Sequence, residues 1–309
     1  MQKTFVVTGA AGFVGSNFIR YLLYNYKGCK VIGLDYIDSP IAMHNIYANK
    51  SHDFYIADVN NKHIMRRIFE IHQPDYIIHC VSPHVESSNR NILKTNSQGV
   101  YNILDSAGAA PNDFDRIIFI SNGAIYGKST KRATEQTPTS LPTDIFTASI
   151  LNAENVIFGS GVPHVIFRTS PIFGPRKTLD YRNRSLDRIS HFYTHIDFGT
   201  VRCNTETEDL LYVEDLSAAI MIAIENKLKG VYNLSIENDF TDEELFHIIQ
   251  EQTSFKFRQR IELYTKPTIK LNSQKFKEIT GWKPQRSLRA RIQQTILWYE
   301  NNKWFQRKY

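Results

Sequence analysis

The sequence predicts an α/β fold, a doubly wound parallel sheet covered by helices on both faces, with a smaller lobe built mainly from the second half of the chain. Three observations carry this expectation. Short β-branched apolar runs alternate with helix-length segments through the first half; the runs lack the polar alternation of a half-exposed strand; and a cluster of glycines sits between the first run and the first helix.

The runs are "TFVVTG", "CKVIGLD", "DFYIAD", "DYIIHCV", "RIIFIS" and "HVIFRTS". Between them, "FVGSNFIRYLLYN", "NNKHIMRRIFEIH", "NILKTNSQGVYNILDSAG" and "ASILNAENVIFGS" place apolar residues at helical spacing. From about Ser170 the pattern loosens into Pro- and Arg-rich loops, followed by helices such as "EDLSAAIMIAIEN", "TDEELFHIIQEQ" and "SLRARIQQTILWYENN". Residues 1–169 therefore read as a nucleotide-binding domain. Residues 170–309 read as a smaller, partly interleaved substrate lobe, part of which returns to the first domain.

"VVTGAAGFVGSNFI" puts Gly9, Gly12 and Gly15 directly after a strand and at the start of a helix, the setting of a Rossmann-type dinucleotide site. Glycines allow the tight turn and a close backbone approach, and the helix start, at Phe13 and Val14, offers unbonded N–H groups to a pyrophosphate. Asp35 closes the second strand, 20 residues beyond Gly15, where a carboxylate accepts from ribose hydroxyls and repels a 2′-phosphate. NAD is thus expected rather than NADP. Asp58, after the third strand, is placed for the adenine ring and also for a helix N-cap; Val59 and Val81 are expected to line the same crevice.

Composition excludes other classes. The formal charge of +6 is not gathered into a basic run interleaved with aromatics, so nucleic acid is not expected. No segment approaches the roughly 20 apolar residues of a membrane span, and Met1 leads into a strand without a cationic, apolar leader, so a cytoplasmic location is expected. Cys29, Cys80 and Cys203 are far apart and suit small core positions. His191 and His195 lie four apart without the glutamate of a zinc motif, so no metal is expected.

Six ordered stretches resemble the extended short-chain dehydrogenase/reductase family of nucleotide-sugar epimerases and dehydratases. They are "TGAAGFVGS", "KTNSQGVYNIL", "ISNGAIYG", "FRTSPIFGPR", "EDLLYVEDL" and "GWKPQRSLRARIQQTILWYENN". The resemblance implies a bound NAD, a nucleotide-diphosphate sugar as substrate, and a homodimer or homotetramer. It also exposes departures. "IFTASILNAE" matches the family's P-Y-x-x-S-K-x-A-x-E, so Phe146 stands at the catalytic tyrosine and Ile150 at the lysine. Asn122 holds the position of the family's Ser or Thr that bonds the substrate oxygen, with Ser121 beside it. An amide there polarises a carbonyl but relays no proton. The Thr-Asp-Glu set of the 4,6-dehydratases is replaced by Asn122, Gly123 and Ala124, which disfavours dehydration.

In the substrate region, Pro171 replaces the family's asparagine and Glu208 the arginine that clamps nucleotide phosphates. A repositioned arginine, among Arg176, Arg184, Arg188 and Arg202, is then expected to hold the diphosphate. His84, in "SPHVESS" after the fourth strand, is the candidate proton acceptor, weighed against a purely structural histidine, with Glu86 a weaker one. The expected function is oxidation of a sugar hydroxyl at carbon 4. Capsule-pathway dehydrogenases on GDP-linked sugars, heptoses included, are similar in working without Y-x-x-x-K. The alternatives are a catalytically silent NAD-binding sensor or partner subunit, and a 4-epimerase with displaced proton chemistry.

Overall fold

The computed structural model describes residues 2–36, 44–45, 52–82, 88–110, 114–129, 131–177, 188–194, 200–237, 240–253 and 260–302. The expected strands are present as β1 (Thr4–Thr8), β2 (Lys30–Asp35), β3 (Asp53–Ile56), β4 (Tyr76–His79), β5 (Arg116–Asn122) and β6 (His164–Thr169). The helices between them are α1 (Phe13–Asn25), α2 (Lys62–His72), α3 (Asn89–Leu93), α4 (Gly99–Gly108) and α5 (Ile145–Gly159). α3 and α4 are joined without a break by a π-helical turn, Lys94–Gln98.

The second half adds β7 (Ile172–Phe173), α6 (Arg188–Thr194), β8 (Thr200–Asn204), β9 (Leu211–Tyr212), α7 (Val213–Glu225), β10 (Gly230–Leu234), α8 (Asp242–Gln252), β11 (Arg260–Tyr264), α9 (Gln274–Thr280) and α10 (Leu288–Asn301). The main sheet has seven strands in the order β10-β6-β5-β4-β1-β2-β3. Every neighbouring pair in it is parallel. β10 thus carries the later chain back to the first domain, where Val231 pairs with Ile166. The remaining strands form two small parallel pairs, β11 with β8 and β7 with β9.

Parallel strands buried on both faces need apolar side chains on both, which is why the runs do not alternate. One face joins Phe5, Val7, Ile78, Ile118 and Phe167 to α1, α7 and α9 through Phe18, Leu216, Ile220 and Phe276. The other joins Val6, Ile77, Ile117, Phe119 and Ile166 to α2, α4 and α5 through Phe69, Ile103 and Ile157. A third cluster, with Phe192, Tyr212, Phe246 and Tyr299, forms the core of the second lobe. Cys203 is buried there, and Cys29 and Cys80 pack partly buried against the first face. Among the described residues no helix is long and apolar enough to cross a membrane, and no group of His, Cys, Asp or Glu is arranged to hold a metal ion.

The strand order reverses between β1 and β4, and at this point Thr8 and His79 are register partners. Thr8 Oγ1 and His79 Nδ1 lie 2.7 Å apart, the imidazole stacks on Phe119, and burial pushes its pKa from 6.5 down to about 4. As pH falls, the unfolded chain therefore protonates His79 first. The stability that the neutral ring contributes is complete above pH 6.5 and is lost progressively toward pH 4. At about 1.4 kcal/mol per pH unit this amounts to about 3 kcal/mol. Chemical denaturation of His79→Gln should show a pH dependence between these limits flatter by that amount; an unchanged slope would assign acid sensitivity elsewhere.

Candidate functional site

The crevice opens at the carboxyl ends of β1 and β4, where ligands of open α/β sheets bind. Gly9 has φ of +69°, and a Cβ there would lie 2.7 Å from the Cys80 carbonyl oxygen; on Gly15 it would lie 2.2 Å from that of Gly9. Only bare backbone fits. Gly12 caps α1 with no side-chain hydrogen bond, so the first-turn N–H groups, at Phe13 and Val14, are offered to an anion rather than to the protein. Asp35 reaches the same loop, its Oδ2 accepting from Ala11 N at 2.7 Å, and buried Asn45 donates to the Ala11 carbonyl at 2.8 Å.

Asp58 holds the turn before α2 by accepting from both Asn60 N and Asn60 Nδ2 at 2.9 Å. It is not the helix cap. That task falls to Asn61, whose side chain accepts from Ile64 N, because Asn61 immediately precedes the first helical residue. Val59 is buried between this turn and α4: its carbonyl accepts from Asn102 Nδ2, and its side chain fills the space left by Gly99. Val81 continues β4 and packs against the α2–α5 face.

α5 carries the departures. Asp144 caps it by accepting from Thr147 N at 2.7 Å, and four-residue spacing then aligns Phe146, Ile150 and Glu154 along one stripe. Ile150 is 4% exposed within the α2–α5 core, and Phe146 packs against that core partly buried. The two positions are apolar packing sites. Glu154, one turn further, is fully buried and accepts three hydrogen bonds from Arg168, the shortest 2.6 Å from Nη2.

Ser121 Oγ also donates to Glu154, at 2.5 Å, so the hydroxyl is turned into this network and supports the end of β5. Arg168 Nη1 donates onward to Tyr126 Oη at 2.8 Å, and Tyr126 to Asn233 on β10 at 2.9 Å. Asn122 Oδ1 accepts from Ala124 N and fixes the turn Gly123–Tyr126. The amide nitrogen of Asn122 remains as a donor suited to a sugar oxygen or ketone.

Beyond that turn lies a pocket of about 480 Å³ lined by Lys128, Arg188, His191, Arg202, Tyr264 and Lys266. It brings together β5's loop, α6, β8 and β11. The loop is held in place by Ser129 N, which donates to the Thr268 carbonyl. Burial first, and then the neighbouring Lys266, lower the pKa of Lys128, the behaviour of two like charges sharing one space. Arg188 is already balanced: its Nε lies 3.3 Å from Asp242 and 3.5 Å from Glu208, and its Nη2 donates to Tyr264. Glu208 therefore stands in the clamp position as a partner of Arg188, not as a phosphate ligand. Arg202 lies over the Tyr264 ring. Arg176 is not among the lining residues. His84, Glu86, Arg184 and His195 lie outside the described residues.

The model of the NAD dependent epimerase/dehydratase family matches residues 5–235. The chain belongs to that family. Human dTDP-D-glucose 4,6-dehydratase is 25% identical over 322 residues, covering 97% of this chain and 91% of the relative. A putative UDP-glucose 4-epimerase of Methanocaldococcus jannaschii is 27% identical, with 96% and 98% covered. Among solved structures, dTDP-glucose 4,6-dehydratase of Bacillus anthracis in complex with NAD superposes with a TM-score of 0.84 at 22% identity, over 98% of each chain. UDP-glucose 4-epimerase of Thermotoga maritima with UDP-glucose gives 0.82 at 25% identity, over 97% and 99%. The Rossmann-type architecture and the family's cofactor, NAD, follow from membership, and the bare glycine cradle fits that cofactor.

Lys128, Tyr264 and Lys266 were not expected as site residues, because no sequence motif joins positions so far apart. Glu154 had a signal: it closes the stretch that matches P-Y-x-x-S-K-x-A-x-E. The burial of Ile150 sets a concrete expectation. Phe146→Tyr combined with Ile150→Lys places an ammonium in an apolar core, and should lower unfolding free energy by roughly 3 kcal/mol or more without raising turnover. Denaturant titration and turnover measured together would check it; a stable, faster double variant would show a site poised to accept the family pair.

Proposed function

We propose that the chain is an NAD-dependent nucleotide-sugar oxidoreductase that oxidises the carbon-4 hydroxyl of its sugar. The carrying observation is the basic pocket that begins on the same β5 loop as Asn122. In this reading residues 1–169, with β10, hold the cofactor, and the rest of 170–309 holds the nucleotide sugar. Lys128, Lys266 and Arg202 receive the diphosphate, so the anion site is recentred away from the position of Glu208. Asn122 then orients the sugar oxygen through its amide N–H, and Asp35 sets the preference for NAD over NADP.

NAD, when bound, supplies the hydride acceptor for such a reaction. The protein must take the hydroxyl proton. Phe146 and Ile150 cannot do so, since both are apolar and pack into the core beneath α5. The finer assignment, a GDP-linked heptose or hexose for surface polysaccharide, rests on the resemblance to dehydrogenases that lack Y-x-x-x-K. The test offers GDP-, UDP- and dTDP-sugars with NAD or NADP and follows the near-ultraviolet band of reduced nicotinamide. Reduction with NAD and a GDP-sugar is expected, and Lys128→Gln/Lys266→Gln should raise KM at least about 10-fold with kcat nearly kept, as for lost uniform binding. No reduction with any sugar would favour the silent NAD-binding protein, the reading that the apolar Phe146 and Ile150 otherwise support.

The proton acceptor proposed is His84, from its place in the sequence after β4 and the absence of a titratable side chain at positions 146 and 150. His84→Asn should lower turnover by roughly 100-fold and remove the acidic limb of the pH–rate profile, with NAD affinity kept. Turnover per folded molecule equal to the parent's would withdraw the assignment.

A further inference from the structure

Arg176 is an anomaly that the pocket does not absorb. It is 8% exposed, it sits at φ of +70° where few non-glycine residues settle, and its Nη1 is buried without a hydrogen-bond partner. Burial first, and then the like charge of Arg20, lower its pKa to about 10, and among the described residues no carboxylate pairs with it. A buried guanidinium without a counter-charge is unfavourable, and a like charge makes it more so.

The strained conformation is nevertheless firmly held. Asn17 Nδ2 donates to the Pro175 carbonyl at 3.0 Å, and Tyr299 Oη contacts the carbonyls of Gly174 and Lys177 at 3.1 and 3.2 Å. Lys177 in turn stands over the ring of Phe13, 5.4 Å from its centroid, and Phe13 is the first residue of α1. The loop from the second lobe is thus laid along the opening turns of the helix whose free N–H groups face the crevice. Fixed strain of this kind, around an uncompensated charge, fits a ligand that supplies the missing anion.

We propose that Arg176 binds the diphosphate of the dinucleotide, reaching across from the second lobe to add a cation to the glycine loop's N–H groups. The assignment rests on the family's cofactor being bound here. It gives the second lobe a direct part in cofactor retention, and it makes NAD the counter-charge for a guanidinium that none of the described residues balances.

The test compares the parent chain with Arg176→Gln and Arg176→Lys by calorimetric titration and thermal unfolding. For Arg176→Gln, the dissociation constant for NAD should rise at least about 10-fold, and that for adenosine, which has no diphosphate, should stay within about 2-fold. Its thermal midpoint without NAD should equal or exceed the parent's, since an unpaired buried charge has been removed. Arg176→Lys, which keeps the charge but not the fork, should lie between parent and Gln for NAD. A fall in affinity for GDP and UDP with NAD unchanged would move the anion to the substrate and overturn the proposal. So would a lowered midpoint with NAD affinity unchanged, which marks a structural arginine. If the parent itself binds adenosine but not NAD, the cofactor reading fails and the proposal fails with it; loss confined to the Gln variant separates the two.

Discussion

The buried pair of Glu154 and Arg168 is the constraint on which the site's geometry depends. Both charges are out of water, so neither is tolerable alone, and each is satisfied only if α5, β5, β6 and the turn after β5 take one arrangement. Glu154 draws in Ser121 at the end of β5; Arg168 draws in Tyr126, which reaches Asn233 on β10. A pair of this kind adds little net stability over apolar packing, but it penalises every alternative register heavily. Its effect is to fix where β5 stops, and so where Asn122 presents its amide and where Lys128 begins the basic pocket.

Much of this was legible in the sequence where a single local rule decides. The start of α1 is marked by the glycine that precedes Phe13, and the first six strands by apolar runs too short and too continuous for surface helices. α8, expected from "TDEELFHIIQEQ", begins in the structure on a reciprocal capping box of Thr241 and Glu244. The cap of α2 was misplaced because Asp58 and Asn61 are both good capping residues, and only the backbone decides between them. The small strands of the second lobe escaped for a different reason. β7 and β9 are two residues each, and β8 and β11 pair across 60 positions, so their stability comes from partners that no window of sequence contains.

The candidate site divides along the same line. The glycine turn is local and readable: its glycines lie between a strand and a helix, and neither Gly9 nor Gly15 has room for a Cβ. The pocket is assembled from four separate elements, and its charge balance is a tertiary property: Arg188 looks like a phosphate ligand in sequence, but Glu208 and Asp242 neutralise it in the fold. Conversely Lys128 and Lys266 are unremarkable singly and become a site only when Ser129 and Thr268 bring their loops together.

The loss of the tyrosine and lysine can be understood in the same terms. A lysine at position 150 would need a nearby oxygen or the cofactor's ribose to offset its desolvation, and a tyrosine at position 146 would need that ammonium to lower its pKa. Once either is gone the other loses its purpose and, for lysine, becomes costly in the closed core that Ile150 now occupies with 4% exposure. The two substitutions therefore belong together. Glu154, on the same stripe one turn further, was under no such pressure because its counter-charge is Arg168 rather than the catalytic pair. Two turns of α5 are thereby given over to packing, while Glu154 on the same stripe still holds the end of β5 through Ser121.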